Sequence, residues 1–287
     1  MDRTTDGWLS GGIGMAIFSG SLPATRMAVA DFDPVFLTGA RAVIAGLLGL
    51  ALLVALRQPR PRGGDVASLL VVAAGVVLGF PLLTALALQH VPSAHSIVFI
   101  GLLPLSTAIF GLLRAGERPR PAFWAFALLG SALVAAFALS EGLAVAPASD
   151  GLMLAAVLVC GLGYAEGGRL SRRLGGWQVI CWALVLALPA MLVIAAATRP
   201  SSLAPVDQAA WAGLAYVSVF SMLVGFVFWY RGLALGGIAA VGQLQLLQPF
   251  LGLVLAALLL GESVSPAMVA ATLGIVICVA GARRFAG

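Results

Sequence analysis

Apolar residues arrive in blocks of about 20 that follow one another with little between them, and this succession leaves few folds open. At about 1.5 Å of rise per residue, each block coiled as a helix crosses a hydrocarbon core of about 30 Å. Ten spans can be drawn, near 8–26, 35–56, 66–88, 94–113, 121–139, 151–169, 177–197, 209–231, 238–260 and 266–282. Strands are excluded as the spanning element: an open sheet edge leaves backbone groups unpaired in lipid, and the runs are too long and too evenly apolar for a barrel. Only 9% of the residues are charged and the mean hydropathy is +1.08, where soluble domains carry roughly 25% charge. The expected fold class is an all-α polytopic membrane protein with ten transmembrane helices.

The connecting segments are short, the longest near 57–65 and 140–150, so no separate soluble domain is expected and any function has to lie within the bilayer. Asp2, Arg3 and Asp6 precede the first span, and no small-residue cleavage signature follows before Arg26, which favours a retained span over a cleaved signal peptide. All 16 basic residues are arginine. Without lysine there is no P-loop lysine and no Schiff base, so ATP bound to this chain is not expected to drive it, and neither cofactor nor metal is expected. Thirteen arginines, Arg57, Arg114, Arg172 and Arg231 among them, fall on one side of the drawn spans, with Arg26 and Arg199 opposite and Arg41 inside span two. The positive-inside rule then puts both termini in the cytoplasm, and the pI near 9.9 reflects topology instead of a nucleic-acid partner. Cys160, Cys181 and Cys278 lie in separate spans without ligand spacing and read as buried apolar thiols.

The sequence also repeats itself. Pro104, Gly116, Glu117 and Pro121 recur 145 positions later as Pro249, Gly261, Glu262 and Pro266, and Ala94 and Ala239 open the same two spans. Each repeat holds five spans, residues 1–140 and 141–287, and because five is odd the second enters the membrane from the opposite side. The charges agree, since Arg114, Arg118 and Arg120 surround the first Gly-Glu turn and none surrounds the second. Inverted repeats are a recurring construction of secondary transporters, with the solute site near the midplane where the halves meet. Duplication in a protein that transports nothing is the alternative.

With its two units of proline, apolar span and Gly-Glu, the chain resembles the drug/metabolite transporter superfamily, specifically its ten-span EamA-type members. The resemblance covers nearly the whole chain, continuing from Pro266 through Gly274 and Gly281, and the stretch from Gly14 through Pro34 and Phe36 to Arg41 is similar as well. Phe18 and Ser19 stand where the family often has a tryptophan-containing pair, and Arg26 stands near a frequent lysine. The resemblance implies export of amino acids or related metabolites from bacteria, across the inner membrane, through a cavity between the halves. It does not identify the solute.

Polar groups within spans are costly unless paired or facing a cavity, so they supply the candidates. In span four His95 and Phe99 share a face, with Ser96 beside them; they either meet a solute or, for His95, cap the span near the interface. Span nine carries Gln243, Gln245 and Gln248, which line a polar cavity or bind helices across the half interface. Tyr164 lies deep in span six. Trp229 and Tyr230, matching Thr84 and Ala85 at the repeat offset, lie in span eight; an interfacial belt is the stronger reading for Tyr230, which precedes Arg231. Ser19 and Arg26, with Met15, share a face of span one at the entrance opposite the arginine-rich side. Glu166 is the first candidate for proton coupling, against a stronger reading as an ion pair with Arg169 at i, i+3. Arg41 has no carboxylate within one turn and has to reach an interface, a carbonyl cluster or a cavity, where a solute carboxylate is one partner for it. Glycines at four-residue spacing, Gly75 and Gly79, Gly163 and Gly167, and Gly12 with Ala16 and Gly20, are expected at close helix contacts, and Pro81, Pro104, Pro189 and Pro249 at kinks.

An enzyme is not expected, because no HExxH, no GxSxG and no pair of membrane aspartates is present and only His90 and His95 are available. A channel is disfavoured by the lack of an acidic ring or carbonyl filter. The sequence reading is thus an inner-membrane secondary exporter of small solutes, amino acids with aromatic or apolar ones among them, held in the lipid bilayer. Export of drug-like or other metabolites, an intramembrane enzyme and a structural membrane partner stand as alternatives.

Overall fold

The computed structural model describes residues 2–91, 96, 99–140, 146–248, 250–252, 254 and 266–286, and no strand occurs among them. The helices are α1 (Arg3–Ser19), α2 (Ser21–Ala28), α3 (Pro34–Ala55), α4 (Gly63–Val72), α5 (Phe80–His90), α6 (Leu103–Ala115) and α7 (Pro121–Ser140), followed by α8 (Pro147–Leu174), α9 (Gly176–Ala197), α10 (Gln208–Ala215), α11 (Gly225–Gly236), α12 (Ile238–Gly242) and α13 (Pro266–Phe285). Two π-helical segments, Ala73–Gly79 and Tyr216–Val224, weld α4 to α5 and α10 to α11.

Among the described residues five helical stretches are long and apolar enough to cross a bilayer: Pro34–Ala55, Gly63–His90, Pro147–Leu174, Gly176–Ala197 and Gln208–Gly236. Leu103–Ala115 and Pro121–Ala136 are shorter apolar helices. The first drawn span falls short because it breaks at Gly20, leaving a helix of 17 residues and one of 8. Within span four the helical residues Phe99 and Ile100 are followed by a turn at Gly101 and Leu102, and the helix from Leu103 has Pro104 in its first turn, where a missing N–H costs nothing. The second half of the repeat motif, Pro249, Gly261 and Glu262, lies outside the described residues, as does Ala94. Side chains such as Val54, Leu113, Val193 and Ile277 point outward and stay exposed, as a lipid-facing surface requires.

The ends are built from local rules. Asp33 caps α3 by accepting from the backbone N–H groups of Val35 (2.8 Å) and Phe36 (3.1 Å), with Pro34 in the first turn. Gly116 ends α6 at φ +67°, a left-handed stop that L side chains rarely adopt. α1 lies against α11 so closely that a Cβ on Gly7 would stand 2.5 Å from the Gly236 nitrogen, and one on Gly232 would stand 2.6 Å from the Gly11 nitrogen. Lipid tails are as apolar as leucine, so such backbone approach, with its dispersion contacts, is what holds helices together in a membrane. Of the glycine sets expected at close contacts, Gly75 meets Gly163 and Gly167 meets Tyr230, whereas Gly12 has nothing within 4 Å. Gly7, Gly11 and Gly14 take that role in α1, because the α11-facing stripe is rotated about a third of a turn from Gly12 and Ala16.

α8 runs through the middle of the bundle, against α4, α5, α6, α9, α11 and α12. α3 packs along α9, α1 along α11, and α7 along α13. The three cysteines are buried and free.

Candidate functional site

Midway along the bundle a small cavity of about 20 Å³ is lined by Phe18, Ser21, Leu22, Arg41, Val76, Phe80, Pro81, Leu103, Tyr164, Ser221, Phe226 and Gln248. That is room for about one water. Its walls come from both ends of the sequence because the chain is irregular there: the break at Gly20 turns Ser21 inward, and Val76 and Ser221 sit in the two π segments. A π turn carries an extra residue and leaves its carbonyls imperfectly matched, which is why such turns gather at functional sites. Tyr216, the first residue of the second π segment, holds the Gly20 break by donating its hydroxyl to the Ile17 carbonyl (2.7 Å).

One wall is aromatic. Phe18 lies nearly parallel to Tyr164 at 6.3 Å between centroids, meets Phe226 edge-on at 5.0 Å, and meets Trp229 at 6.0 Å; Tyr164 and Trp229 are 5.3 Å apart. The other wall is polar. Arg41 is only 5% exposed, its Nη2 lies 3.5 Å from the Ser221 Oγ, and its Nε has no hydrogen-bond partner. Ser21 and Ser221 share a hydrogen bond of 2.8 Å. Gln248 donates to the Phe18 carbonyl (3.1 Å). Other buried polar atoms without a hydrogen-bond partner are spread through the bundle, on Ser96, Thr107, Ser131, Ser171, Gln178, Gln243 and Gln245, and on the Trp229 indole beside the aromatic wall. A buried guanidinium with an unbonded nitrogen is costly, so the cavity that Arg41 lines is the candidate site.

The structure sorts the sequence candidates. Arg41, Tyr164 and Gln248 line the cavity, with Trp229 behind the aromatic wall. Gln243 and Gln245 are fully buried within a short 3₁₀ turn, Gln243–Leu247. Ser96 is buried without a hydrogen-bond partner, and Phe99 is half-buried at the seam of the two main apolar clusters. Ser19 and Thr84 are not in the lining: Ser19 donates to the Met15 carbonyl (3.0 Å) and Thr84 to the Phe80 carbonyl (2.7 Å), each one turn back along its own helix. His95 lies outside the described residues. Tyr230 is not interfacial but fully buried, donating to the Gly163 carbonyl (3.1 Å), because α11 runs through the bundle centre and only Arg231 beyond it emerges. Arg26 reaches the carbonyls at the end of α5, Leu88 and Gln89.

Glu166 is fully buried but belongs to a different site. Its Oε2 accepts from Arg114 Nε at 3.0 Å and its Oε1 from Arg169, which also bonds Ser68 at 2.9 Å. Nearby, Asp65 pairs with Arg173, and Glu117 pairs with Arg172 while accepting from the backbone N–H groups of Ile238 (2.9 Å) and Ala239 (2.7 Å) at the start of α12. The last turns of α8 thereby tie α4, α6 and α12 into one end of the bundle. Two open grooves of about 300 and 510 Å³ flank that end, the first lined by Arg60, Arg62 and Trp182, the second by Arg3, Arg231 and Trp177. Among the described residues no group of three potential metal ligands occurs.

Sequence reasoning missed Ser21, Ser221 and Phe226. Serines in apolar helices usually bond their own preceding turn, as Ser218 does to the Leu214 carbonyl (2.6 Å), so a serine alone gives no signal. Phe226 stands four residues after Met222 in a uniformly apolar run, and nothing in the pattern separates it from packing residues.

The EamA-like transporter family matches the chain twice, over residues 7–139 and 148–283. An uncharacterized transporter of Bacillus subtilis (strain 168), YdeK, is 65% identical over 286 residues, covering 100% of both chains. A protein of Streptantibioticus cattleyicolor named "Probable terminal-alkyne amino-acid exporter" is 27% identical over 263 residues, 90% of this chain and 87% of its own. A solved crystal structure superposes with a TM-score of 0.80 at 22% identity, over 98% of this chain and 99% of the other, and shares the fold. Family match and relatives alike indicate a transporter and not an enzyme: this multi-pass membrane protein is a member of the EamA-like transporter family.

Proposed function

We propose that the chain exports amino acids, or related small metabolites carrying a carboxylate, across the bacterial inner membrane, and that the cavity around Arg41 is the solute site. The observation that carries this reading is a buried guanidinium, without an ion pair among the described residues, beside an aromatic wall. A solute carboxylate would meet Arg41 as a charge-assisted, bidentate pair. The amine would find ring faces and glutamine oxygens, and an apolar or aromatic side chain would lie against Phe18, Tyr164 and Phe226. The relative named as an amino-acid exporter supports the same solute class.

A cavity of about 20 Å³ is far below the roughly 300–1,000 Å³ of ligand sites, so helices have to separate for a solute to enter. Alternating access between two inverted five-span halves, residues 1–140 and 141–287, supplies that motion. Three observations support it: the family matches each half separately; exchanging the halves maps the α1–α11 contact onto the contact of α8 with α5; and the two π segments start 143 and end 145 residues apart. In this arrangement the tied arginine-rich end is cytoplasmic and closed. The test is uptake of radiolabelled amino acids, one by one, into proteoliposomes containing only this protein. Saturable uptake supports the reading; no uptake of any amino acid by correctly inserted protein overturns the solute class and moves drug-like solutes ahead.

A further inference from the structure

We propose that the carrier works by exchange: it changes sides readily with a carboxylate beside Arg41 and reluctantly without one. This rests on the reading of the cavity as the solute site.

Elsewhere in the bundle arginine compensates carboxylates drawn away from water. Glu166 is met by Arg114 and Arg169, Asp65 by Arg173, and Glu117 by Arg172. Among the described residues the two fully buried carboxylates, Glu166 and Asp65, both have a guanidinium against them. Arg41 is the reverse case. It is only 5% exposed, it makes no ion pair among the described residues, and its hydrogen bond there is to a hydroxyl at 3.5 Å, on the edge of bonding distance. Ser221 cannot compensate a full positive charge, and its Oγ is already shared with Ser21 at 2.8 Å. The rest of the lining is apolar except for Tyr164 and Gln248, and none of its residues is acidic.

An unpaired cation closed into an apolar site is strongly disfavoured, whereas the same cation paired with a carboxylate in good geometry is not. Changing sides requires the cavity to close around its contents, and closure to about 20 Å³ leaves no room for a hydration shell. Closing over Arg41 alone therefore costs more than closing over Arg41 with a solute carboxylate. The difference falls on the step in which the solute-free carrier returns, so return is faster with a second carboxylate on board. Neutral or purely cationic solutes gain nothing from Arg41 and do not drive the return.

Proteoliposomes holding the purified protein are filled with potassium chloride alone, with unlabelled phenylalanine, or with its uncharged-carboxyl analogue phenylalaninamide, and initial uptake of labelled phenylalanine, leucine and threonine is measured in each. Internal phenylalanine is expected to raise the rate at least about tenfold over both other fillings for whichever labelled amino acid enters. Arg41→Lys is expected to keep that stimulation, and Arg41→Gln to lose it. Uptake at one rate with all three fillings overturns the exchange mechanism while leaving transport intact. No uptake of any of the three amino acids by correctly inserted protein overturns the reading of the cavity as a site for such amino acids, together with the exchange built on it.

Discussion

Arg41 and Ser221 face each other across the cavity at 3.5 Å, and among the described residues a hydroxyl, not a carboxylate, is what bonds the buried guanidinium. The bond is long and the hydroxyl is shared with Ser21, so Ser221 orients Arg41 more than it compensates it. Ser221→Ala removes about one neutral hydrogen bond, of order 1 kcal/mol. The expected result is a KM for amino-acid uptake raised less than about tenfold with kcat little changed, measured in proteoliposomes; abolished uptake by a correctly inserted variant would mean that Ser221 itself holds the solute.

Glu166 joins two arginines at the end of the bundle and has no place in the cavity lining. Both of its oxygens are engaged by arginines of α6 and α8, which supports a clamp between the two helices, and the prediction is that it carries no proton. Glu166→Gln weakens the clamp but leaves any response to a pH gradient unchanged. Uptake measured with and without the gradient in wild type and variant checks this, and a gradient response present in the wild type and missing in the variant would contradict it.

Glu117 has a purely structural task as the cap of α12, accepting from Ile238 and Ala239. Glu117→Ala leaves two N–H groups bare at a helix start and is expected to cost about 1–2 kcal/mol. The loss of its pair with Arg172 adds little, since that arginine is 40% exposed. Thermal unfolding in detergent should show Tm lowered by at least about 2 °C; an unchanged Tm would reject the cap.

Two glycine substitutions separate packing from propensity. Gly232→Ala pushes a methyl against the Gly11 backbone at 2.6 Å, where no side chain can move aside, and should cost about 1–3 kcal/mol. Gly12→Ala meets nothing within 4 Å and should stabilise its helix by up to about 1 kcal/mol. Unfolding in the same detergent checks both signs, and equal effects would contradict the α1–α11 contact.

The apolar blocks, the buried cysteines and the pairing of Glu166 with Arg169 were legible because each depends on residue type and spacing alone. Arg41 and the glutamines stood out because a charge or an amide inside an apolar run has to find a partner or a cavity. The break at Gly20 and the π turns were not legible. A π turn differs from an α turn by one residue of register, and that is decided by what packs against it, as Tyr216 does on Ile17 and Gly20. Tyr230 was misread for a related reason: its neighbour Arg231 signals a helix end, but the ring turns inward toward Gly163, and only the tertiary arrangement supplies that direction. Ser21 and Ser221 became site residues only when two distant helices brought their hydroxyls to 2.8 Å.

The central claim is that Arg41 reads a solute carboxylate, and competition tests it most directly. Exchange of a labelled amino acid is measured in proteoliposomes against rising concentrations of the matching unlabelled amino acid and of its amide, in wild type and in Arg41→Gln. A charge-assisted pair worth about 1.5–3 kcal/mol predicts that the wild type prefers the carboxylate by about ten- to a hundredfold and that the variant shows no preference. Equal inhibition by acid and amide in the wild type, or a preference that survives in Arg41→Gln, would contradict the account.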